Sequence, residues 1–122
     1  MDKYSIEVED ALHQSVNGTS LKGYVSTTYD KLVELFGKPS HTDADPYEKV
    51  NMEWILNIKK YFIDEDGEED WDYISATIYN WKTGSVPTNE YEWHIGGHNY
   101  EATDAVQYII SNNIKAEYNY ND

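Results

Sequence analysis

The sequence predicts an α+β fold, an antiparallel sheet of four to five strands with two helices packed on one face. Apolar residues share one parity over residues 50–58, which is the pattern of a half-buried strand. Two other segments, 27–37 and 99–113, instead carry apolar residues at helical spacing. No repeat or linker divides the 122 residues, so we expect one domain over residues 1–122.

Two short strands are predicted before the first helix. Residues 1–10 alternate weakly, with Tyr4, Ile6 and Val8 on one face. A turn signal, Asn17-Gly18, then precedes a second short strand over residues 21–26.

The first helix has both of its ends specified by the sequence. Thr27 or Thr28 can cap its N-terminus, Gly37 suits its C-terminal cap, and Pro39 prevents its continuation. The residues expected to form its apolar stripe are Tyr29, Leu32, Val33 and Phe36.

A hairpin and a third long strand follow the first helix. The strand over residues 50–58 is expected to turn at Asp66-Gly67 and return over residues 72–81. Residues 90–95 predict a further strand, which Gly96-Gly97 ends.

The second helix is predicted to begin at Asn99 and to close at Asn112-Asn113. One apolar stripe defines its buried face, formed by Ala102, Ala105, Val106, Ile109 and Ile110. The sequence leaves open whether the tail over residues 114–122 adds an edge strand or is flexible.

Composition excludes several classes of function. The formal net charge is −14, and all nine cationic side chains are lysines. Without arginine and without a basic footprint, direct binding to nucleic acid is not expected. Without cysteine, disulfides, thiolate nucleophiles and zinc–thiolate sites are excluded. The N-terminus lacks a signal-peptide pattern and no stretch has the length of a membrane span, so a cytoplasmic location is expected.

The strongest functional signal is an acidic segment at the hairpin turn. Seven carboxylates fall in nine residues, namely Asp64, Glu65, Asp66, Glu68, Glu69, Asp70 and Asp72. Same-face residues of a strand lie about 6.6–6.8 Å apart, close to the phosphate spacing of a nucleic-acid strand, so a row of them can occupy a basic groove. A solvated, solubilising turn is the alternative. An EF-hand is not indicated, because Gly67 is the fourth residue of the segment and no helices flank it.

Aromatic residues accompany this segment. Trp71 and Tyr73 belong to a larger set of rings on three neighbouring strands, which can form core or exposed interface. We therefore predict a partner-binding surface made of the seven carboxylates with Trp71 and Tyr73.

Other constellations give weaker signals. His94 and His98 are four apart, but the intervening Gly96-Gly97 makes a helical metal site improbable. Acid pairs such as Glu90/Glu92 merely share a strand face. We expect no catalytic residues, metal or cofactor; a small-ligand site beside Gly96-Gly97, for example for a signalling nucleotide, stays open as the alternative.

Several ordered motifs resemble small proteins of phages and mobile elements. These are GTSLKGY (18–24), YDKLV (29–33) with FGKP (36–39), ATIYNW (76–81) and WHIGG (93–97). The FGKP segment is also similar to one in BLIP-like inhibitor and adaptor folds. In type, the chain is similar to anti-CRISPR and other anti-defence inhibitors, many of which are small, acidic and occlude a nuclease or its DNA-binding groove. The resemblance implies a stoichiometric inhibitor of a basic host nuclease or CRISPR effector, with no catalytic residues to carry over.

Overall fold

The computed structural model describes residues 3–9 and 18–117, and it has the α+β architecture that the sequence predicts. In chain order the elements are β1 (Tyr4–Glu9), β2 (Ser20–Thr27), α1 (Tyr29–Phe36), β3 (His41–Thr42), β4 (Met52–Ile63), β5 (Glu69–Tyr79), β6 (Tyr91–Gly97) and α2 (Glu101–Ser111). Asn17 of the predicted turn and residues 118–122 of the predicted tail lie outside the described residues. Neither helix is long and apolar enough to cross a membrane.

The strands form one antiparallel sheet in the order β1-β4-β5-β6-β2. The sixth strand, β3, lies off this path and pairs His41 with Glu53 and Thr42 with Met52 of β4. A two-residue strand in a polar loop shows no alternation, which is why the sequence predicts four or five strands rather than six.

The central hairpin extends beyond its neighbours. Strands β4 and β5 pair from Glu53↔Tyr79 to Ile63↔Glu69. The register of β1 on β4 reaches only Lys60, and β6 pairs with β5 only from Ala76 to Tyr79. The end of the hairpin therefore projects past the rest of the sheet, and we call residues 61–73 the ribbon.

Both helices pack on one face of the sheet, as predicted. Trp54 and Trp93, neither of which exposes any surface, meet edge to face with ring centroids 5.8 Å apart. Their indole nitrogens donate to backbone carbonyls, Trp54 to Gly37 and Trp93 to Thr27. The same hydrophobic cluster contains Leu32, Leu35 and Phe36 of α1, and Ala102, Ala105, Val106, Ile109 and Ile110 of α2.

The ends of α1 are confirmed, but its buried stripe differs by one residue. Thr28 Oγ1 accepts from the backbone N–H of Lys31, and Gly37 adopts φ +75° at the C-terminal cap. Leu35 is fully buried, whereas Val33 is 36% exposed, so the expectation for Val33 is wrong. These two positions flank Leu32 on opposite sides of the helix, and the orientation of the helix on the sheet determines which is covered.

The two long strands after the turn are displaced from their predicted bounds. Strand β5 begins three residues earlier than expected and ends before Trp81, which is exposed. Strand β6 continues through Gly96 and Gly97, which therefore do not end it. A Cβ at Gly97 would collide with Ala102 of α2, so this glycine permits close packing of helix on sheet.

Helix α2 starts near the predicted cap. Asn99 Oδ1 accepts from the backbone N–H of Glu101, although the capping position itself is Tyr100. The described part of the tail, residues 114–117, docks on the fold. Ala116 donates its backbone N–H to the carbonyl of Leu35, and Glu117 forms a single parallel bridge to β1.

Candidate functional site

All nine residues of the predicted partner-binding surface lie at the end of the central hairpin. Asp64 organises the turn, because its Oδ1 accepts from the backbone N–H groups of Asp66 and Glu68, each at 2.9 Å. The turn is closed by a backbone bond from Asp64 N–H to the carbonyl of Glu68. Glu65, Asp66 and Glu68 are exposed around this turn. The fold therefore uses one carboxylate and leaves the others at the tip pointing into solvent.

The strand register distributes the remaining carboxylates over both faces of the ribbon. Cross-strand partners share a face, so Asp70 and Asp72 lie on the same face as Phe62 and Lys60. Glu69 lies on the opposite face, where it pairs with Ile63. A single row of seven charges is thus not formed. Only Asp70 and Asp72 keep the same-face spacing of a strand, and the other five surround the turn.

The charge on the ribbon is not neutralised locally. None of its seven carboxylates forms an ion pair with any residue of the described ranges, in which Lys31–Glu34 is the pair observed. The lysine closest in register to the aromatic rings, Lys59, lies with Nζ 6.0 Å from the ring centroid of Tyr73. The ribbon therefore carries a concentrated negative potential outward from the sheet.

One face of the ribbon is aromatic and exposed. Tyr61 and Trp71 pair across the strands with ring centroids 5.2 Å apart and an interplanar angle of 64°. Trp71 is 37% exposed, Tyr73 67% and Ile63 55%. Partial burial raises the pKa of Tyr61, and a hydrogen bond to Glu69 makes a smaller contribution in the same direction. Trp71 and Tyr73 are therefore exposed rather than part of the core.

Two members of this aromatic face were not predicted from sequence. Tyr61 and Ile63 lie on β4 beyond residue 58, where the expected strand ended. Together with Phe62 they form a continuous aromatic and β-branched run, a composition that is typical of strands and could have identified them. The adjacent acidic residues hid the signal, because the change in composition suggests that a loop begins there.

A second cluster on the sheet face away from the helices was also missed. His94 of β6 pairs with Tyr79 of β5 and Tyr24 of β2, and its ring centroid lies 5.0 Å from that of Tyr24 and 5.4 Å from that of Tyr79. Trp81 and Tyr91 complete the surroundings at 6.3 and 6.5 Å. The cluster becomes visible only when the strand register is known, since its members are spread over residues 24–94.

Burial shifts the pKa values of three ionisable groups, namely His94 and Tyr79 of this cluster and Glu53, which pairs with Tyr79 across the strands. Desolvation lowers the pKa of His94, against an opposing contribution from Glu92. Desolvation raises the pKa of Glu53 despite nearby His41. The pKa of Tyr79 is raised by burial and then by Glu53 and Tyr24. Burial among aromatic rings therefore favours the neutral form of the His94 imidazole, and its Nδ1 has no hydrogen-bond partner among the described residues.

The two histidines and the glycine pair that the sequence singled out do not form one site. His94 lies within β6, whereas His98 is exposed after it, and Gly96 is buried beside Thr77. In the described part of the chain, no group of three or more His, Asp or Glu side chains could hold a metal ion.

Comparisons with known proteins identify no relative of this chain. No protein-family model, curated protein or solved structure matches it. The resemblance to phage and mobile-element proteins, and the similarity in type to anti-defence inhibitors, stay predictions. The geometry and the charge of the ribbon therefore carry the functional proposal.

Proposed function

We propose that this protein is a stoichiometric inhibitor that binds a basic, nucleic-acid-binding protein through the ribbon. The observation that carries the proposal is the projection of seven carboxylates, without a single ion pair to the described residues, past the end of the sheet. By its resemblance to phage and anti-defence proteins, we propose a host defence nuclease or CRISPR effector in the host cytoplasm as the target.

The charge distribution favours this function over simple solubility. The chain has a net charge of −14, and adding seven like charges to one turn destabilises the compact state by self-repulsion. Solubility needs only a modest, dispersed charge. A groove lined with Lys and Arg for a phosphate backbone would instead be complementary to a concentrated anionic projection, and association would be accelerated electrostatically.

The aromatic face supplies the contacts that charge alone does not. Exposed Trp and Tyr side chains are the residues that most often anchor protein interfaces. The edge-to-face packing of Tyr61 on Trp71 fixes the two rings before binding, which reduces the entropy lost on association. Protein interfaces commonly have an apolar anchor surrounded by a polar rim. The aromatic face would supply the anchor, and the charged tip would supply part of the rim.

The structure shows which charges can be removed without disturbing the hairpin. The ribbon-neutral variant carries Glu65→Gln, Asp66→Asn, Glu68→Gln and Asp72→Asn, and it keeps Asp64 because that side chain holds the turn. A control variant changes the same number of exposed acids elsewhere, at Glu7, Glu48, Glu90 and Glu92, to Gln. The two variants have the same net charge.

DNA-cleavage assays with purified CRISPR nucleases and restriction endonucleases test the proposal. We expect the wild type and the control variant to inhibit a susceptible nuclease at equimolar concentration, and the ribbon-neutral variant to lose inhibition. Inhibition should also fall steeply as salt rises. Equal inhibition by the ribbon-neutral and control variants, or no inhibition of any basic nuclease by the wild type, would contradict the proposed function.

A further inference from the structure

Within the described ranges, no strand pairs with the outer edge of β5 along the ribbon, and we call this the open edge. Strand β5 pairs with β4 over its full length, but β6 covers its other edge only from Ala76 to Tyr79. We propose that an extended, basic segment of the partner adds to this open edge as a further strand, alongside residues 69–75. The inference rests on the proposed function and specifies how the ribbon would hold its target.

The hydrogen bonds at the base of the ribbon show which backbone groups face outward. Tyr61 donates its N–H to the carbonyl of Lys3, towards β1, so the Tyr61/Trp71 pair exchanges no backbone bonds within the hairpin. By the two-residue alternation of an antiparallel ladder, Trp71 and Tyr73 direct their N–H and C=O groups to the open edge. An added strand could bond to those of these groups that no side chain already covers.

One of the outward N–H groups is covered by a side chain. Asp70 Oδ1 accepts from the N–H of Trp71 at 2.8 Å, whereas no hydrogen bond of this kind covers the N–H of Tyr73 within the described ranges. Tyr73 is thus the position at which a partner strand would form its first backbone bonds.

A cavity of about 270 Å³ lies at the base of the open edge. Four consecutive residues of β5, from Asp72 to Ser75, line it, so it follows the edge of the strand rather than one face. Glu101, at the start of α2, contributes a second carboxylate. A cavity with two carboxylates suits the cationic end of a Lys or Arg side chain.

Charge complementarity selects the occupant of this edge. A second copy of β5 would bring Glu69, Asp70 and Asp72 close to their own counterparts, and like charges across a ladder are destabilising. A segment with Lys or Arg at alternate positions would instead place cations beside Asp70 and Asp72, which share one face. The edge therefore fits a basic strand and disfavours self-pairing.

The test uses a synthetic peptide in which lysine alternates with threonine. Its counterpart carries N-methyl groups on alternate backbone amides, which removes donors while keeping the charge. With the ¹⁵N-labelled protein, we expect the unmodified peptide to slow hydrogen exchange at the amide of Tyr73 and to shift the resonances of Trp71 and Tyr73. The N-methylated peptide whose blocked amides face the ribbon should bind on the order of tenfold more weakly.

A proline substitution tests the same bonds from the side of the protein. Tyr73→Pro removes an outward N–H without removing a donor from the β4–β5 ladder. The matched control is Ser26→Pro on β2, which lies at the other end of the sheet. Gln107 donates to the carbonyl of Tyr24, so the backbone groups of Tyr24 point away from β6. Ser26 lies two residues further along the strand, so its N–H also points outward. We expect Tyr73→Pro to weaken peptide binding on the order of tenfold and Ser26→Pro to leave it unchanged.

The outcomes separate this inference from the proposed function. Absence of peptide binding, equal binding of both peptides, or resonance shifts confined to residues 64–68 would overturn strand addition. The proposed function would survive each of these results if the ribbon-neutral variant still lost inhibition. The N-methylated peptide decides the question even where Tyr73→Pro fails to fold.

Discussion

The helix-covered part of the sheet and the ribbon belong to the same two strands but differ in what holds them. Around Trp54, side chains of β4 and β5 are buried beneath both helices in one hydrophobic cluster. Beyond Lys60, the same strands contribute no residue to this cluster as far as the described ranges show, and Trp71 is 37% exposed. The stability of the fold therefore resides in the covered part, while the ribbon presents charge and aromatic surface that the fold does not require.

This difference supports the proposal that the ribbon is the functional surface. Burial of apolar area stabilises the covered part, whereas uncompensated carboxylates on the ribbon oppose folding. The ribbon nevertheless has an ordered turn, set by Asp64, as we would expect of the proposed binding surface. Four predictions test this difference between the two regions.

The largest difference in stability is expected between replacing a tryptophan of the helix-covered part and replacing one of the ribbon. Trp54→Ala leaves a cavity beside Trp93 and removes the hydrogen bond to Gly37, so it should lower the free energy of unfolding by about 3–5 kcal/mol. Trp71→Ala on the ribbon should cost about 1 kcal/mol or less. Urea denaturation followed by far-UV circular dichroism measures both, and similar losses would contradict the division between the two regions.

The next effect concerns a buried amide pair that joins the loops at the opposite end of the hairpin. Asn80 Oδ1 accepts from the backbone N–H groups of Asn51 and Met52, and its Nδ2 donates to Asn51 and Thr83. Asn80→Ala leaves buried donors without partners and should cost about 3 kcal/mol.

The matched control for this prediction is Asn57→Ala on the same hairpin. Asn57 is only partly buried, so its loss should cost about 1 kcal/mol or less. Chemical denaturation of both variants makes the comparison, and an equally small loss for Asn80→Ala would show that the loops are held by other contacts.

A smaller effect is expected from His94 as pH falls. Burial lowers its pKa in the folded state, so the unfolded chain binds the proton more readily. The contribution of neutral His94 to stability is present above the ordinary imidazole pKa of 6.5 and is lost as pH falls below it towards the folded-state pKa. His94→Gln should flatten this part of the stability profile, measured by urea midpoints across the range.

The surrounding charges define the control for the pH experiment. Glu92 raises the pKa of His94, while Glu53 lies one strand beyond Tyr79. Replacing the exposed His98 by Gln changes a histidine outside the cluster. A profile flattened equally by both substitutions would argue against a specific role for His94.

The smallest effect has the opposite sign. The ribbon-neutral variant should be more stable than the wild type by up to about 1 kcal/mol at low salt, because repulsion at the turn is relieved. The gain should shrink as salt screens the charges. Thermal unfolding at low and high salt checks this, with the dispersed four-residue control for comparison; a loss of stability would mean that the carboxylates support the hairpin.

The sequence alone determined the local features of this protein. Thr28 and Gly37 set the ends of α1, and the alternation through Trp54, Leu56 and Ile58 set a strand, because capping and periodicity are properties of neighbouring residues. The acidic hairpin turn was also predictable, since Asp66-Gly67 is a turn signal and the charge is contiguous.

Which faces and edges these elements share became visible with the three-dimensional fold. It divided Glu69 from Asp70 and Asp72, and it assembled Tyr24, Tyr79 and His94 from three strands. It also left the edge of β5 at Tyr73 without a paired strand among the residues described. It also buried Leu35 instead of Val33. The physical reason is that strand register and helix orientation depend on contacts between residues far apart in the chain, and local periodicity carries no information about which of two adjacent faces those contacts will cover.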